Sequence, residues 1–486
     1  MGKYVFWART THMKPHMKTP LFVLLAVLSG VARGADAPVG NEHPMSQGYV
    51  PPKDPAVQKK LEWWQDLKFG LMMHWGTYSQ WGIVESWSIC PEDEGWCQRR
   101  GPYATNYFTY VMAYEGLQKT FNPVKFNPEK WAAAAKNAGM RYVVFTTKHH
   151  DGFCMFDTAQ TDYRITAPDC PFHTNPRANV AKEVFAAFRN DGFGIGAYFS
   201  KPDWHSPYYW WPYFPPKDRN PNYSLSRYPD RWRQFKEFTW KQIEELMTGY
   251  GSVDILWLDG GQVRPPQQDI DMNGLAAMAR KHQPGLLVVD RTVSGENENY
   301  RTPENEVPGQ LLPYPWETCM TMATSWSYVP HDKYKSPGTI VRHLCRIVAR
   351  GGCLLLNIGP SPEGDFDPEA YDRLEKVGAW MKVNSGAIYE TRPIKPYEQG
   401  DWVFTARRDG TVYAILLAKD DQATLPQQVA MPAEILAGRA KAQLVGFGEL
   451  KAGATEDGKT TFAIPDEAKG KLPAGYAWVF KLERNP

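Results

Sequence analysis

The chain of 486 residues is long enough to bury a large core and to form more than one domain. Its 55 basic and 53 acidic residues leave a formal charge of +2 and form no long runs, which argues against nucleic acid or another polyanion as a partner. Aromatic residues make up 14% of the chain, including 19 Trp, which is typical of a protein that stacks rings against a sugar-like face or packs them in its core.

The first 37 residues predict a processing region. A basic, Met-rich start precedes the apolar stretch LFVLLAVLSGVA at 21–32 and then small residues, which is the pattern of a secretory signal peptide; Met13 and Met17 are alternative starts. The apolar stretch has about a dozen residues, whereas a membrane span needs roughly 20. We therefore expect a secreted or periplasmic protein with no membrane span.

Short apolar runs alternate with amphipathic helices from about Leu67 onward. One helix is marked by Asn127 as its N-cap, Pro128 in its first turn and Gly139 as its stop. The predicted strands cover 69–76, 141–148, 194–200, 254–260, 286–291, 316–322 and 353–359. The other predicted helices cover 180–191, 228–249, 270–283, 337–350 and 366–384.

Apolar strands that alternate with helices predict a parallel sheet covered by helices, so the expected fold class is α/β, with a (β/α)8-like barrel. Seven strands are visible, and an eighth is expected within 322–340. After about residue 391 alternating strands such as WVFTARRDGTVYAILLA replace the helices, which predicts a C-terminal antiparallel β-sandwich domain. The expected division is 1–37 for the processing region, 38–391 for the barrel and 392–486 for the β-sandwich.

Several common site types have no signal in the sequence. The seven cysteines are odd in number and contain no CxxC pair, so they support neither a zinc ribbon nor a dense disulfide framework, although Cys90 and Cys97 are near enough to pair locally. No P-loop, Gly-x-Ser-x-Gly elbow or HExxH helix occurs, which excludes several enzyme classes.

Polar side chains end the predicted strands, and active sites of α/β barrels lie at the C-terminal strand ends. The runs end as MMHWG, FTTKHHDG, GAYFSKPDW, ILWLDGG and VVDR, which together predict a polar pocket lined by aromatic rings. Each of these residues taken singly is also typical of a turn or of packing. Since adjacent strand residues point to opposite faces, we expect His149 and His150 to diverge rather than to share one metal ion.

Asp259 emerges from a buried strand in DILWLDGG, where burial and neighbouring donors set its ionisation. A carboxylate pair at such a position suits glycoside hydrolysis, in which one carboxylate attacks the anomeric carbon and the other protonates the leaving oxygen. The candidate partners are Glu304 in YRTPENEVPG and Glu317 in PYPWETC. A metal-dependent hydrolase built on the strand-end histidines is a weaker alternative, because the adjacent pair is expected to diverge.

Seven motifs follow one another in order between about Leu67 and Tyr389. They are KFGLMMHWGTYS, FNPEKWAAAAKNAGMRYVVFTTKHHDGFCMFD, GIGAYFS, VDILWLDG, TPENEVPG, WETCMTMATSWSY and LLLNIGPSPEGDF. This ordered set resembles the α-L-fucosidases of glycoside hydrolase family 29. The resemblance implies a retaining exo-hydrolase that removes terminal α-L-fucose from a fucosylated glycan through a covalent glycosyl-enzyme intermediate, with no metal and no other cofactor.

The resemblance also implies roles for single residues. Asp259 matches the nucleophile, and Glu304 matches the general acid and base better than the alternative, Glu317. An imidazole donates and accepts, Arg presents a fork of donors, and an aromatic face covers the methyl group of fucose. The residues implied to hold the sugar or to orient the nucleophile are His74, Glu85, Trp87, His149, His150, Tyr198, Trp257, Arg291 and Trp326.

One motif departs from the family pattern. Many relatives have a Glu-Trp pair where this chain reads Glu85-Ser86-Trp87 and continues with the insertion SICPEDEGWCQRR, so the outer pocket wall is expected to differ. Two alternatives stay open: the same fold and mechanism acting on α-L-galactosides, which carry a hydroxyl where fucose has its methyl group, and a catalytically silent carbohydrate-binding barrel.

Overall fold

In the computed structural model of the chain, a parallel sheet of seven strands lies at the centre of the first part. The structure describes residues 48–92, 97–473 and 475–484, so the predicted signal peptide lies outside the described residues. In chain order the elements of the first part are α1 (Pro55–Leu67), β1 (Phe69–Met73), α2 (Tyr107–Glu115), α3 (Pro128–Asn137), β2 (Tyr142–Lys148), α4 (Val180–Asn190), β3 (Gly194–Ser200), α5 (Pro229–Gly249), β4 (Ile255–Asp259), α6 (Met272–His282), β5 (Leu287–Asp290), β6 (Glu317–Thr321), α7 (Pro337–Ala349), β7 (Cys353–Ile358) and α8 (Pro368–Asn384).

The sheet curls into the predicted (β/α)8-like barrel. Its strands lie in the order β5, β4, β3, β2, β1, β7 and β6, and all neighbours are parallel. An irregular segment, 298–305, fills the gap between the edge strands: Glu298 bridges to β5 and Glu304 bridges to Cys319 in β6. The prediction of an eighth strand within 322–340 is wrong, because these residues form bends and the start of α7.

Alternate residues of each strand point into the barrel. In β4, Ile255 and Trp257 belong to the inner apolar cluster, whereas Leu256 and Leu258 pack outward in the cluster shared with the helices. The same alternation carries Asp259 to the inner side where the strand ends. The strands are buried over nearly their whole length, so their polar side chains can form a pocket only at the ends.

The helices follow the signals in the sequence. The side chain of Asn127 accepts a hydrogen bond from Lys130 N at the start of α3, and the chain turns after the helix at Gly139, whose φ is +85°. Helices α4 to α8 begin and end within two residues of their predicted limits. Among the described residues, no helix has the length and apolar character needed to cross a membrane.

Two antiparallel sheets follow the barrel and confirm the predicted β-sandwich. They enclose a core of their own that includes Phe404, Phe462 and Phe480. The elements are β8 (Thr391–Gln399), β9 (Trp402–Arg407), β10 (Val412–Leu417), β11 (Gln428–Pro432), α9 (Ala433–Leu436), β12 (Arg439–Leu444), β13 (Gly448–Leu450), β14 (Ala452–Glu456), β15 (Lys459–Ala463), α10 (Asp466–Lys469) and β16 (Ala477–Arg484). The six-stranded sheet has the order β13, β12, β16, β10, β9 and β8, and the three-stranded sheet has the order β11, β15 and β14.

The β-sandwich packs on the outer helices of the barrel. The Trp380 indole of α8 donates to the carbonyl oxygen of Ala477 at 2.8 Å, and Arg342 of α7 pairs with Asp421 at 3.1 Å. The first strand of the sandwich begins at Thr391, beside the predicted change of character at 392. The domain limits themselves stay predictions.

The local disulfide considered for Cys90 and Cys97 does not form. Cys90 is buried, and its thiol lies 3.6 Å from the carboxylate of Glu92. Burial raises the pKa of Cys90 to about 12, so it stays a protonated thiol.

Candidate active site

The C-terminal strand ends bring together the residues singled out in the sequence. The ring of His74, just after β1, lies 5.5 Å from that of His149, just after β2, and 5.3 Å from that of Tyr198 in β3. Tyr198 stacks on Trp257 of β4 with ring centroids 5.3 Å apart. Asp259 ends β4 on the same inner side, so the site is one pocket at the barrel mouth.

Asp259 is surrounded by donors. Its Oδ2 accepts from the Tyr198 hydroxyl at 2.8 Å and lies 3.8 Å from His150 Nε2, while its Oδ1 accepts from Arg291 Nη1 at 3.2 Å and from Gly260 N at 2.8 Å. Burial acts to raise the pKa of this carboxyl group, but Arg291, His150 and the hydrogen bonds outweigh it and hold the pKa well below its ordinary value. Asp259 is therefore an ionised carboxylate at any pH near neutrality.

Gly260 is required where it stands, directly after Asp259. Its φ is +86°, a conformation that L side chains rarely adopt, and a Cβ there would lie 2.2 Å from Pro202 Cδ. The sharp turn lets the backbone N–H of Gly260 reach back to the carboxylate of the preceding residue. The Asp-Gly pair thus orients the carboxylate as well as ending the strand.

Arg291 joins two carboxylates. It follows β5, and its guanidinium binds Asp259 through Nη1 and Glu304 through Nη2, while Nε lies 3.3 Å from Thr302 Oγ1. The Glu304 side chain is 40% exposed, whereas those of Asp259 and Arg291 are 17% and 13% exposed. The pair therefore consists of one enclosed carboxylate and one that faces the open side of the pocket.

Glu317 occupies a different environment, inside the barrel. It is fully buried, its Oε2 accepts from the Tyr142 hydroxyl at 2.6 Å, and its Oε1 accepts from the Trp257 indole at 3.2 Å. Burial, only partly offset by these donors, raises the pKa of Glu317 to about 7. Gly70 of β1 leaves space for this arrangement, because a Cβ there would lie 2.5 Å from the Tyr142 ring. Glu317 thus supports Trp257 from within the barrel.

The strand-end histidines are buried and uncharged. Burial lowers the pKa of His74 and His150 to about 4 and that of His149 well below its ordinary value. His74 Nδ1 lies 2.7 Å from the amide oxygen of Asn357, an acceptor, so Nδ1 carries the proton and Nε2 is left as an acceptor. Neutral imidazoles of this kind can bind hydroxyl groups as donor and acceptor.

The expected divergence of His149 and His150 is wrong. Strand β2 ends at Lys148, and its register against β3 shifts between Thr146 and Lys148, as in a β-bulge. Both histidines therefore lie outside regular strand geometry, and their rings are 4.4 Å apart. His149 Nδ1 bonds Ser86 Oγ at 2.5 Å, while His150 Nδ1 has no hydrogen-bond partner among the described residues.

Aromatic side chains and one further carboxyl group form the pocket wall. Trp87 meets His150 edge to face at 5.2 Å, and Trp326 lies 5.1 Å from His74. Glu85 is 2% exposed, and its Oε1 accepts from Ser327 N at 3.0 Å. Burial raises the pKa of Glu85 to about 8, with a smaller contribution in the same direction from nearby carboxylates, so Glu85 is mostly protonated near neutral pH. The wall thus contains Trp87 despite the additional Ser86.

His149, His150 and Asp259 each have a ligand atom within 4.8 Å of the others, so these three could hold a metal ion. Two imidazoles and one carboxylate form a common zinc ligand set. However, the Asp259 charge is already balanced by Arg291 at 3.2 Å, and a divalent cation would be repelled by that guanidinium.

Three site residues were not singled out in the sequence. Asn357 orients His74, Ser86 bonds His149, and Trp204 lies 5.1 Å from His150. Asn357 lies within the predicted strand 353–359 and Trp204 ends the run GAYFSKPDW, so the strand-end rule could have selected both. Ser86 has no such signal, because it reaches the site through a short helical turn outside the sheet.

Comparison with known proteins identifies relatives along most of the chain. The family model described as Alpha-L-fucosidase matches residues 39–386. The chain is 28% identical over 462 residues to an alpha-L-fucosidase of Branchiostoma floridae, covering 90% of this chain and 96% of the relative. It is 27% identical over 439 residues to the plasma alpha-L-fucosidase of Homo sapiens, covering 86% and 89%.

Solved structures have the same fold. Alpha-L-fucosidase isoenzyme 1 from Paenibacillus thiaminolyticus is 28% identical and superposes with a TM-score of 0.71, covering 89% of this chain and 100% of that chain. An alpha-L-fucosidase from Bacteroides thetaiotaomicron, solved as a trapped covalent intermediate with 2-fluoro-fucosyl fluoride, is 24% identical with a TM-score of 0.68, covering 92% and 100%.

Proposed function

The chain belongs to the alpha-L-fucosidase family of glycoside hydrolases, and from this premise we propose that it is a retaining exo-hydrolase that releases terminal α-L-fucose from oligosaccharides or glycoconjugates. The proposal assigns Asp259 as the nucleophile and Glu304 as the general acid and base. One observation carries it: an ionised, enclosed Asp259 and a more exposed Glu304 bind the same guanidinium of Arg291. A retaining pair needs its carboxyl groups about 5–5.5 Å apart, and a shared guanidinium keeps two carboxylates close.

The reaction then has two steps. In the first, an oxygen of Asp259 attacks the anomeric carbon, the bond to the leaving oxygen breaks, and protonated Glu304 gives its proton to that oxygen. This leaves fucose bound to Asp259 as an ester. In the second step Glu304 takes a proton from water, the water oxygen attacks the anomeric carbon, and the Asp259 carboxylate departs. Two inversions return the original anomeric configuration.

The side chains around Asp259 bind the sugar. Uncharged His74, His149 and His150 suit hydroxyl groups, and protonated Glu85 supplies a further donor. The faces of Trp87 and Trp326 suit the methyl group of a deoxy sugar, because they are apolar and polarisable. A solved relative from Bacteroides thetaiotaomicron is described as a trapped covalent intermediate, which supports the two-step route for this chain.

We assign Glu304 rather than Glu317 as the acid and base because its side chain is more exposed. The Glu304 side chain is 40% exposed on the open side, where a leaving group can enter and leave. Glu317 is fully buried beneath Trp257, and both of its oxygens already accept hydrogen bonds from side chains of the barrel interior.

A parallel assay of aryl α-L-fucoside and aryl α-L-galactoside tests the activity and the sugar together. We expect faster cleavage of the fucoside, because the galactoside carries a hydroxyl against an apolar wall. Proton NMR of the first product formed should show the α anomer, as retention requires. First-formed β-fucose would contradict the mechanism, and cleavage of the galactoside alone would support the alternative sugar.

A metal-dependent hydrolase is the second candidate, because His149, His150 and Asp259 could together bind a cation. We favour catalysis without a metal, since Arg291 already provides the positive charge next to Asp259.

We also propose that the chain is exported. The basic and apolar pattern of residues 1–37 supports export, and one relative is named a plasma alpha-L-fucosidase. Mass spectrometry of protein recovered outside the cells should find an N-terminus near residue 38. Retention inside the cells with residues 1–37 intact would contradict this.

A further inference from the structure

The loop between β3 and α5 carries a group of aromatic side chains at the barrel mouth, and one of them, Tyr213, is exposed to solvent. Its sequence WWPYFPP covers 210–216, and Tyr213 is 77% exposed, the highest value among the large apolar side chains of the described residues. Because the loop follows the C-terminal end of β3, it lies on the same face of the barrel as the site. Clustered exposed aromatic side chains commonly mark a binding surface.

A series of ring contacts leads from the sugar pocket to Trp210, the first residue of this loop segment. Trp204 lies 5.1 Å from His150 and 5.3 Å from Trp87, and it stacks on Trp210 at 5.2 Å with the ring planes 7° apart. Trp210 is followed in the chain by Trp211. Buried Trp204 and Trp210 thus connect the pocket wall to the start of the loop segment that carries Trp211, Tyr213 and Phe214.

We call Trp211, Tyr213 and Phe214 the aromatic tip. Their rings contact one another, with centroids 5.7 Å apart for Trp211 and Tyr213, 5.4 Å for Trp211 and Phe214, and 5.0 Å for Tyr213 and Phe214. The three rings therefore form one cluster, in which Tyr213 is exposed and Trp211 and Phe214 are half-buried.

Hydrogen bonds hold the aromatic tip in place. The side chain of Asn222 accepts from Trp211 N at 2.7 Å and donates to the carbonyl oxygens of Trp211 and Phe214 at 2.9 and 2.5 Å. The guanidinium of Arg231 lies 3.9 Å from the Trp211 ring centroid, on its face. The tip is therefore fixed before a ligand arrives, which lowers the entropy cost of binding.

We propose that the aromatic tip binds the saccharide that carries the fucose, that is, the leaving-group part of the substrate. The proposal rests on the proposed function, since only a glycoside hydrolase acting on an oligosaccharide has such a part. A pyranose ring has C–H groups on its faces, and these stack on the negative face of an aromatic ring. Residues of both charges flank the tip in the chain, with Lys217 next to Asp218 and Asp230 next to Arg231, so the surroundings suit an uncharged glycan better than an ionic ligand.

The test compares substrates of different length. For wild type, Tyr213→Ala and the Tyr213→Ala/Phe214→Ala double variant, kcat and KM are measured with an aryl α-L-fucoside and with fucosylated tri- and tetrasaccharides of several linkages. We expect unchanged constants for the aryl fucoside and a rise in KM of about threefold to tenfold for the longer substrates, with kcat kept. Unlike Tyr213→Ala, Tyr213→Trp should keep the wild-type KM, because the indole ring still provides a face for stacking.

Phe108→Ala is the matched control, because Phe108 is a 62% exposed aromatic residue on α2. The inference is overturned by equal losses on short and long substrates, by unchanged KM for every oligosaccharide, or by the same loss in Phe108→Ala. A change of oligomeric state in Tyr213→Ala, seen by sedimentation, would mean that the tip is an interface between copies of the chain and would also overturn it. Wild type that cleaves no aryl fucoside would instead contradict the proposed function itself.

Discussion

The Tyr198 hydroxyl donates a hydrogen bond to Asp259 Oδ2 at 2.8 Å, and this bond joins the neighbouring strands β3 and β4 at the edge of the pocket. Tyr198 is held in turn, because its ring stacks on Trp257 at 5.3 Å and the Trp257 indole donates to buried Glu317 at 3.2 Å. The proposed nucleophile is therefore oriented by side chains rooted in the barrel interior. A substitution at any of these residues should alter the orientation or the pKa of the Asp259 carboxylate while the carboxylate itself remains.

Tyr198→Phe removes one of the donors that lower the pKa of Asp259. The pKa should rise, so the acid limb of the kcat/KM profile should move to higher pH. A hydrogen bond to a charged group contributes about 1.5–3 kcal/mol, so we expect kcat/KM to fall by roughly tenfold to a hundredfold. Tyr103→Phe, at an exposed tyrosine, is the control. An unchanged acid limb would mean that the hydroxyl does not act on Asp259.

Asp259→Ala should lower turnover of an aryl α-L-fucoside by at least about 1,000-fold, because no other group can form the ester. Azide should restore turnover, since it fits the space left by the carboxylate and attacks the anomeric carbon once. The product should be a glycosyl azide of inverted configuration, identified by NMR. Asp269→Ala, at an exposed carboxylate in the loop after β4, controls for general effects. Near-normal activity of Asp259→Ala would refute the nucleophile assignment.

Glu304→Ala should affect substrates according to their leaving groups. An activated aryl fucoside needs little protonation, so its first step should be nearly spared, whereas natural oligosaccharides should be cleaved about 100-fold to 10,000-fold more slowly. Glu306→Ala, two residues away, is the control. If Glu317→Ala, and not Glu304→Ala, slows only the substrates with poor leaving groups, then the acid is Glu317 and our assignment of Glu304 is wrong.

Glu317→Gln should change how stability depends on pH. The folded-state pKa of about 7 lies above the ordinary 4.5, so between these values the folded chain keeps a proton that the unfolded chain releases. The contribution of Glu317 to the free energy of unfolding is therefore full below pH 4.5 and is lost as pH rises to about 7, by on the order of 3 kcal/mol. The free energy of unfolding, measured with urea across this pH range, should fall with pH in wild type, and this fall should be absent in Glu317→Gln. Parallel curves would contradict the raised pKa.

Removal of metal ions separates the two candidate functions. Dialysis against a chelator should leave kcat/KM unchanged, because Arg291 rather than a cation balances Asp259. Added zinc should not increase activity. A loss of activity on chelation that zinc reverses would favour the metal-dependent alternative at His149 and His150.

Much of the fold could be predicted from the sequence because its signals are local. Continuous apolar runs mark strands buried on both faces, and caps such as Asn127 mark helix starts, so seven strands and the main helices lie close to their expected limits. The closing segment 298–305 has no such run. It pairs with its neighbours only at isolated bridges, and polar residues such as Asn299, Arg301 and Thr302 interrupt the apolar run that would mark a buried strand.

The candidate site could likewise be predicted from the sequence only in part. The strand-end rule and the ordered motifs were enough to select Asp259, Arg291 and the histidines, because the carboxyl ends of parallel strands meet at one edge. The direction of each side chain was not available from strand periodicity alone. A register shift in β2 turns His149 and His150 together, against the alternation that the sequence predicts.

The sequence by itself determined the order of strands and helices, the two kinds of sheet and the set of polar residues at the strand ends, since these depend on local apolar patterns and turn chemistry. Only the tertiary structure decided which residues meet: that Arg291 binds Asp259 and Glu304 together, and that Glu317 lies fully buried beneath Trp257. The two glutamates are 13 positions apart in the chain, and strand periodicity alone leaves both as candidate partners of Asp259. Exposure and long-range contacts distinguish them, and these arise only when the barrel closes.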